Sequence, residues 1–167
     1  MHPEAARWIR TLGLTPHPEG GFFRETYRAD EGIASAHLPA RFGGDRVFAT
    51  AIYFLLEGRQ ISRLHRLRSD EIWHFHAGGP LAVDSLSPDG AATRAILGPE
   101  VDAGQVFQHV VPAGHWFGAA LERSDSYALV GCTVAPGFDF SELELAHRDI
   151  LLARYPQHRA LIERLTP

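Results

Sequence analysis

The sequence predicts a mainly β protein, a barrel or jelly roll with helices at both ends. Short strand-like runs, about 8 to 12 residues apart and separated by glycine and proline, fill the middle of the chain. Apolar residues at helical spacing occur at both ends. Hydrophobic residues make up 45% of the 167 residues and charged residues 22%. This length and composition indicate one folded domain with a substantial core over residues 1–167.

The N-terminal part is predicted to contain one helix, one strand and a long loop. Residues 4–12 show helical spacing, and Pro3 and Gly13 suit the start and the end of a helix. Residues 22–28 are rich in aromatic residues and predict the first strand. Residues 29–45 contain three glycines and a proline and are predicted to form a loop, either a lid or a disordered excursion.

The barrel is predicted to extend over about residues 22–140. The run 47–56 is almost continuously apolar and predicts a central buried strand. The further predicted strands are 61–67, 71–76, 81–86, 93–97, 106–111, 115–121 and 127–134. Pro136 and Gly137 end the series.

The tail, residues 141–165, is predicted to be helical. Ser141 and Glu144 have the spacing of a capping box. Two amphipathic segments follow, interrupted at Pro156.

Charge and composition exclude several partners. The net charge of −4 and the absence of lysine give no electrostatic footprint for a nucleic acid. No apolar run has the length of a membrane helix, so no membrane association is expected. The single cysteine, Cys132, lies in an apolar run and is predicted to be a small core residue in a reducing compartment. No secretory signal is visible, and a cytoplasmic location is expected.

Four arginines cluster within ten residues. A set of ion pairs or a solvated face is the favoured interpretation, and an anion site beside a cavity is the alternative. These residues are Arg59, Arg63, Arg66 and Arg68.

The hairpin from Gly58 to Gly78 carries the strongest chemical signal. Its first strand holds His65, and its second strand opens with Glu71. If both side chains face the interior, they form a pair suited to general acid–base catalysis, or two ligands of a divalent metal ion. The competing interpretation is a hydrogen-bonded core histidine and an exposed hairpin glutamate.

Other candidate site residues follow from strand alternation. Tyr53 in the central strand is a candidate general acid opposite His65, and His115 is a fallback metal ligand beside His65 and Glu71. His74 and His76 point away from Glu71 and form a weaker candidate pair. The predicted substrate-binding residues are Glu25 and Tyr27 on one strand face, Arg63 beside His65, and the aromatic residues Trp73, Phe75, Trp116 and Phe117.

The spacing resembles the two sequence motifs of the cupin superfamily. The first motif is matched by Gly58, His65, Glu71 and Gly78. The second motif is matched in part, by Gly104, Pro112 and Gly114. Leu67 and Phe117 stand where two of the four metal ligands usually occur. This departure argues against the standard cupin metal site.

Within this superfamily, the chain most resembles the Cupin_5 (DUF985) family. The matching segments are 17–27, 51–56, 65–75, 111–118, 134–140 and 155–158. The resemblance implies a double-stranded β-helix, a homodimer, and an architecture similar to the dTDP-sugar 3,5-epimerases. In those enzymes a lone histidine, on the strand equivalent to that of His65, acts as a base without a metal.

Three functions remain open from the sequence. The first is an isomerase, epimerase or lyase that acts on a polar, sugar- or nucleotide-like molecule with His65 as base and Glu71 or Tyr53 as partner. The second is a metal-dependent oxygenase or hydrolase. The third is a small-molecule-binding protein without catalysis. A cofactor is accordingly expected to be either absent or a divalent metal ion.

Overall fold

The computed structural model describes all 167 residues and consists of two antiparallel sheets packed face to face. The strands are β1 (Thr15–Pro16), β2 (Phe22–Arg28), β3 (Gly32–Ile33), β4 (Arg46–Val47), β5 (Thr50–Glu57), β6 (Ile61–Arg66), β7 (Asp70–Gly78), β8 (Leu81–Leu86), β9 (Ala92–Leu97), β10 (Gln108–Val111), β11 (Trp116–Leu121), β12 (Tyr127–Ala135) and β13 (Glu144–Leu145). The helices are α1 (Pro3–Leu12), α2 (Arg148–Arg154) and α3 (Arg159–Leu165).

The strand order is that of a jelly roll. One sheet has six strands in the order β1-β2-β5-β12-β7-β10, and the other has five in the order β13-β6-β11-β8-β9. Strands β3 and β4 form a separate ribbon. The two sheets are not joined into one continuous hydrogen-bonded barrel, so the architecture is an open jelly roll rather than a closed barrel.

The main core lies between the inner faces of the two sheets. Its largest side chains are Trp73, Phe54 and Phe117, all at most 1% exposed. The Trp73 ring meets Phe54 at a centroid distance of 5.8 Å and Phe117 at 6.4 Å, both edge to face. Burial of each such side chain stabilises the fold by about 1.5–3 kcal/mol. This core forms the floor beneath the candidate site.

Helix α1 covers part of the outer face of the six-stranded sheet. The His2 side chain accepts a hydrogen bond from the Glu4 backbone N–H at its start, and Gly13 ends it with a φ of 63°. Ala5 packs there with Leu55 and Leu129. The predicted helix over 4–12 is therefore confirmed.

The tail differs from the predicted helix over 141–165. Ser141 lies in a 3₁₀ turn, where the Asp139 carboxylate accepts its backbone N–H. Glu144 begins β13, whose backbone pairs with β6, so the predicted capping box does not form. The first tail helix starts at Arg148, and the predicted interruption at Pro156 is confirmed. Helices α2 and α3 cover the outer face of the five-stranded sheet.

The predicted strands agree closely with the observed ones. Residues 22–28 and 81–86 have the predicted bounds, and most other strands differ by one or two residues. The predicted strand over 47–56 is divided into β4 and β5, and the predicted loop over 29–45 contains β3 and a 3₁₀ turn. None of the helices combines the length and the apolar character needed to span a lipid bilayer.

Candidate functional site

A small cavity of about 40 Å³ lies on the inner face of the six-stranded sheet, next to His65 and Glu71. Its polar lining comes from several elements and consists of His17, Glu19, Glu25, Thr50, His65, Glu71 and Cys132. Its outer end is covered by three phenylalanines, Phe23, Phe138 and Phe140, which we call the aromatic cap. The volume is sufficient for one or two water molecules.

His65 is aimed into the cavity by a bulge in β6. Ser62 pairs with Ala119 and His65 pairs with Phe117, so the register shifts between the two pairs. Two residues three apart, Ser62 and His65, therefore both face inward. The imidazole is 1% exposed and rests against the Phe117 ring at a centroid distance of 4.1 Å.

Both ring nitrogens of His65 contact oxygen atoms. Nδ1 lies 2.7 Å from the Arg63 carbonyl oxygen, and Nε2 lies 3.2 Å from Oε2 of Glu19. A carbonyl oxygen can only accept, so Nδ1 carries a proton. The Nε2–Oε2 contact becomes attractive once Nε2 also carries a proton. His65 and Glu19 therefore form a pair that can take up one further proton between them.

Glu19 reaches His65 because its loop docks on the bulged strand. The Arg63 backbone N–H donates to the Glu19 carbonyl oxygen at 2.9 Å, and the Ser62 hydroxyl donates to Oε1 of Glu19 at 2.8 Å. The next residue, Gly20, has a φ of 113°, and a Cβ atom there would lie 2.2 Å from the Ile61 carbonyl oxygen. Only glycine permits this close approach.

His17 completes the loop side of the cavity as a neutral imidazole. Its Nδ1 accepts the Glu19 backbone N–H at 3.2 Å and so carries no proton. Burial lowers the pKa of His17; the Glu19 charge raises it, and the charge of His65 lowers it further. His17 thus supports Glu19 without adding a positive charge.

Glu71 stands on the sheet side of the cavity. It pairs with Val134 of β12 and Val111 of β10, which directs its side chain inward. The side chain is nearly buried, with 6% of the residue exposed, and Oε2 has no hydrogen-bond partner. Burial and the nearby Glu19 charge raise the pKa of Glu71 to about 8, against a hydrogen bond with the Cys132 thiol that lowers it.

The carboxyl groups on the two sides of the cavity therefore differ in their roles in proton transfer. With its pKa raised to about 8, Glu71 is mainly protonated at pH 7, and its Oε2 has no hydrogen-bond partner. On the other side, Nε2 of His65 lies 3.2 Å from Oε2 of Glu19, and the two atoms can take up a proton between them. This arrangement has an acid on one side and a proton-accepting pair on the other.

The structure brings together some of the predicted site residues. His65, Glu71 and Glu25 line one cavity. Trp73 and Phe117 are buried in the core directly beneath it, and Phe75 packs half-buried on the same core. The interpretation of Glu71 as an exposed hairpin residue is wrong, because β7 is a central strand with its inner face covered.

Two predicted residues lie on the outer face of the six-stranded sheet. Tyr53 alternates with the inward Phe54 and packs with the residues beside α1, so it does not reach His65. Tyr27 was predicted to share a face with Glu25, but β2 shifts register between them. Tyr27 therefore pairs with Ala51 and is 55% exposed, and Arg28 binds the Glu25 carboxylate through Nε and Nη2.

Three further predicted residues point elsewhere. Arg63 lies on the bulge and donates to the Pro18 carbonyl oxygen outside the cavity. Trp116 packs with Leu151 and Ile162 of the tail helices. His115 lies on the turn before β11, where its charge acts on Asp89, and it is not among the residues that line the cavity. The predicted ligand set of His65, Glu71 and His115 is therefore not assembled.

The donors present do not fit a cupin metal centre. No three His, Cys, Asp or Glu side chains are placed to hold a metal ion. Both nitrogens of His65 already contact oxygen atoms, and Leu67 and Phe117 offer no donor atoms. His74 and His76 lie on the outer face, where His74 contacts Thr133 and Gln108.

Sequence reasoning missed Glu19, Ser62 and His17. The available signal was the unusual run of His17, Pro18 and Glu19 before two glycines, which indicates a tight loop with buried polar groups. Alternation within β6 could not identify Ser62, because it requires a regular strand.

Sequence comparison relates the chain to a known family. The sequence model of Cupin_5, described as cupin superfamily (DUF985), matches residues 6–146. An uncharacterized protein of Saccharomyces cerevisiae is 31% identical over 144 residues, which cover 80% of this chain and 71% of that protein.

Solved structures show the same fold over the whole chain. A crystal structure of a protein from Shewanella oneidensis has a TM-score of 0.86 and 42% identity, and covers 98% of this chain and 97% of its own. A hypothetical protein from Leishmania major has a TM-score of 0.89 and 34% identity, with 99% of both chains covered. Oxalate decarboxylase from Bacillus subtilis shares only the fold, with a TM-score of 0.54, 16% identity, and coverage of 90% of this chain and 36% of its own.

Proposed function

The chain belongs to the Cupin_5 (DUF985) family of the cupin superfamily, and on this basis we propose that it is a small-molecule isomerase, epimerase or lyase that acts by acid–base chemistry. The substrate is a polar, sugar-like molecule with a carbonyl group. One observation carries the proposal. The protonated Glu71, with one oxygen free, faces the proton-accepting pair of Glu19 and His65 in the same cavity.

Glu71 is the proposed general acid. Its free oxygen has no partner in the protein, and burial keeps it protonated at neutral pH. A substrate carbonyl oxygen placed at Glu71 would receive this hydrogen bond and then the proton. Removal of a proton from the neighbouring carbon would become easier, because negative charge on the oxygen is neutralised as it develops.

The proposed base is the Glu19–His65 pair, in which Oε2 of Glu19 receives the proton and passes it to Nε2 of His65, 3.2 Å away. Before the transfer, Nε2 and the Glu19 carboxylate face each other as two acceptors, an unfavourable contact. After the transfer, Nε2–H donates to Oε2 of Glu19, while Nδ1–H keeps its bond to the Arg63 carbonyl oxygen. The pair thus gains an attractive hydrogen bond when it takes up the proton. This favours proton abstraction at that position.

The proton balance is closed within the cavity. The substrate carbon loses a proton to the pair, and its carbonyl oxygen gains one from Glu71, which gives an enol. Return of the proton to the other face, or to the adjacent carbon, gives an epimer or an isomer and restores both groups. No redox partner is needed, and the proposal uses protons alone.

The aromatic cap must open for this reaction. A cavity of about 40 Å³ is far below the roughly 300–1,000 Å³ of ordinary ligand pockets. Phe140 is 52% exposed and lies at the surface of the cap, so it is the side chain that can move at least cost. Closure after binding would exclude water from the acid and the base.

The experiment is solvent deuterium exchange into a panel of small ketoses and keto acids, with and without phosphate groups, followed by proton NMR. We expect catalysed exchange at a carbon next to the carbonyl group. His65→Ala and Glu71→Gln should lower its rate by about 10²–10⁴-fold.

The matched control is His74→Ala, which removes the same side chain from the outer face of the sheet. It should leave the exchange rate unchanged. Exchange that survives His65→Ala would refute the proposed base. Saturable binding of a compound in the cavity without any exchange would instead identify a non-catalytic binding protein.

A homodimer and a cytoplasmic location also remain proposals. Support for a dimer comes from apolar side chains exposed on or beside the six-stranded sheet, namely Tyr27, Phe107 and Val110. Light scattering of the purified protein would test it, and a monomer mass at micromolar concentration would contradict it.

A further inference from the structure

A second, larger depression adjoins the cavity. It is an open cleft of about 920 Å³ between the turn after β6, the turn before β11, the loop before β4 and the segment that leads into β13. Leu67 lines both the cleft and the inner cavity. The cleft and the inner cavity are therefore adjacent, and the Leu67 side chain lies between them.

Three arginines line this cleft, and one of them is already neutralised. Arg66 binds the Glu144 carboxylate through Nε at 2.7 Å and Nη2 at 3.0 Å. Its guanidinium also lies over the Trp116 ring at 4.6 Å from the centroid. Arg66 is therefore held in place by a carboxylate and an aromatic ring. Its charge is already paired, so it is a weak binding group for a further anion.

Arg41 and Arg68 are held differently. Nε of Arg41 donates to the Arg68 carbonyl oxygen at 2.8 Å, and Nη1 of Arg68 donates to the Arg41 carbonyl oxygen at 2.5 Å. These reciprocal bonds bring two positive charges together, and neither forms a salt bridge with a carboxylate. Each guanidinium has five N–H donors and uses one in these bonds, so several donors on each remain free.

The carboxylates of the cleft are bound to other groups. Asp70 accepts the Ala113 backbone N–H at 2.8 Å, and Glu142 is paired with the buried Arg46. Glu144 is occupied by Arg66. Two neighbouring guanidinium groups without a counter-ion repel each other, and a dianion that binds both with paired hydrogen bonds relieves the repulsion.

We propose that Arg41 and Arg68 bind the phosphate group of a phosphorylated small molecule. The phosphate lies in the cleft, and the rest of the molecule passes Leu67 to the cavity. The second half of this inference, that the same molecule reaches Glu71, rests on the proposed function. The binding of phosphate by the two arginines does not.

The test is a titration with inorganic phosphate at constant, low ionic strength, followed by backbone amide NMR of the full-length protein. We expect saturable shifts at residues 41–43 and 67–70. The double variant Arg41→Gln, Arg68→Gln should bind phosphate at least about tenfold more weakly, because charge-assisted hydrogen bonds are lost.

Further variants make the result specific. Arg123→Gln removes one exposed arginine that is paired with Asp125 on a different turn, and should bind phosphate like the wild type. Glu71→Gln should also bind phosphate normally, so a failure of the proposed acid is distinguishable from a failure of the anion site. The single variants Arg41→Lys and Arg68→Lys keep the charge without the planar fork, and should weaken binding less than the double variant.

Two results would overturn the inference. One is the absence of saturable phosphate shifts in the wild type. The other is equal phosphate affinity in the wild type and in a folded Arg41→Gln, Arg68→Gln variant.

Discussion

The two sides of the inner cavity each present a buried glutamate, and they treat it in opposite ways. On the loop side, Glu19 accepts a hydrogen bond from Ser62 and contacts His65, and its backbone is anchored by Arg63. On the sheet side, Glu71 is left with one oxygen unpaired. The same side chain thus serves as part of a proton-accepting pair in one place and as a protonated acid in the other.

The difference follows from the backbone that carries each residue. A loop can bend so that donors surround a carboxylate, and donors favour its charged form. A strand between two other strands points its side chain at the opposite sheet, and no donor there reaches Oε2 of Glu71. Burial, together with the Glu19 charge, therefore raises the pKa of Glu71 to about 8. The environment of each glutamate, rather than its residue type, therefore determines which one is the acid and which one belongs to the base.

The largest expected effect is that of Glu71→Gln on the pH dependence of stability. In the wild type the pKa of Glu71 is about 8 when folded and 4.5 as an ordinary glutamate. Between these values the folded protein holds a proton that the unfolded chain has released, so raising the pH favours unfolding. The stability present below pH 4.5 is lost as the pH rises to about 8, by of the order of 4 kcal/mol.

Urea denaturation of the wild type and Glu71→Gln at pH 5 and pH 9 measures this effect. Glu71→Gln should lack the decrease in the free energy of unfolding that ionisation of Glu71 causes between pH 5 and pH 9. Glu122→Gln, at an exposed glutamate bound to Arg94, serves as the control and should follow the wild type. If the free energy of unfolding depended on pH in the same way in the wild type and in Glu71→Gln, Glu71 would not be the buried, protonated acid of the cavity.

Glu19→Gln is expected to have the next largest effect, and it links the two sides. It removes the carboxylate that accepts the buried Ser62 hydroxyl and faces His65, at a cost of about 2 kcal/mol. It also removes the negative charge that helps to raise the pKa of Glu71, so that pKa should fall below about 8. Carbon-13 NMR titration of the Glu71 carboxyl group and urea denaturation measure the two effects.

Glu31→Gln is a suitable control for this variant, since Glu31 is exposed. It should change neither quantity. An unchanged titration of Glu71 in Glu19→Gln would mean that the two carboxyl groups are electrostatically independent.

The smallest of the three effects concerns access to both glutamates. Cys132 is the only cysteine and lines the cavity, so its reaction with a small thiol reagent reports opening of the aromatic cap. Phe140→Ala removes contacts with Phe23, Phe138 and His17. The labelling rate, measured by mass spectrometry, should rise about tenfold, equivalent to about 1.4 kcal/mol in the opening equilibrium.

Phe107→Ala is the matched control, because Phe107 is 55% exposed and lies outside the cap. It should label at the wild-type rate. Equal rates for Phe140→Ala and the wild type would show that the cavity is reached by another route.

Much of the fold was predictable because it depends on local patterns. The strand over Leu81–Leu86 has its predicted bounds, and the inward direction of Glu71 follows from alternation with the buried Trp73. The same rule failed for Tyr27, because a bulge inserts one residue between it and Glu25. A bulge is stabilised by its partner strand, and nothing in the local pattern of residues marks its position.

The sequence by itself indicated the strands, the family resemblance, and three candidate groups that lie in the cavity, Glu25, His65 and Glu71. These depend on periodicity and motif spacing, which are properties of neighbouring residues. The tertiary structure alone decided that Glu19 binds His65, that Tyr53 and His115 lie elsewhere, and that Glu71 lacks a partner. Glu19 and Ser62 are 43 residues apart in the chain, and their 2.8 Å hydrogen bond exists only after the loop docks on the bulged strand. Burial and charge at such a contact arise from packing, and they determine which carboxyl group holds its proton.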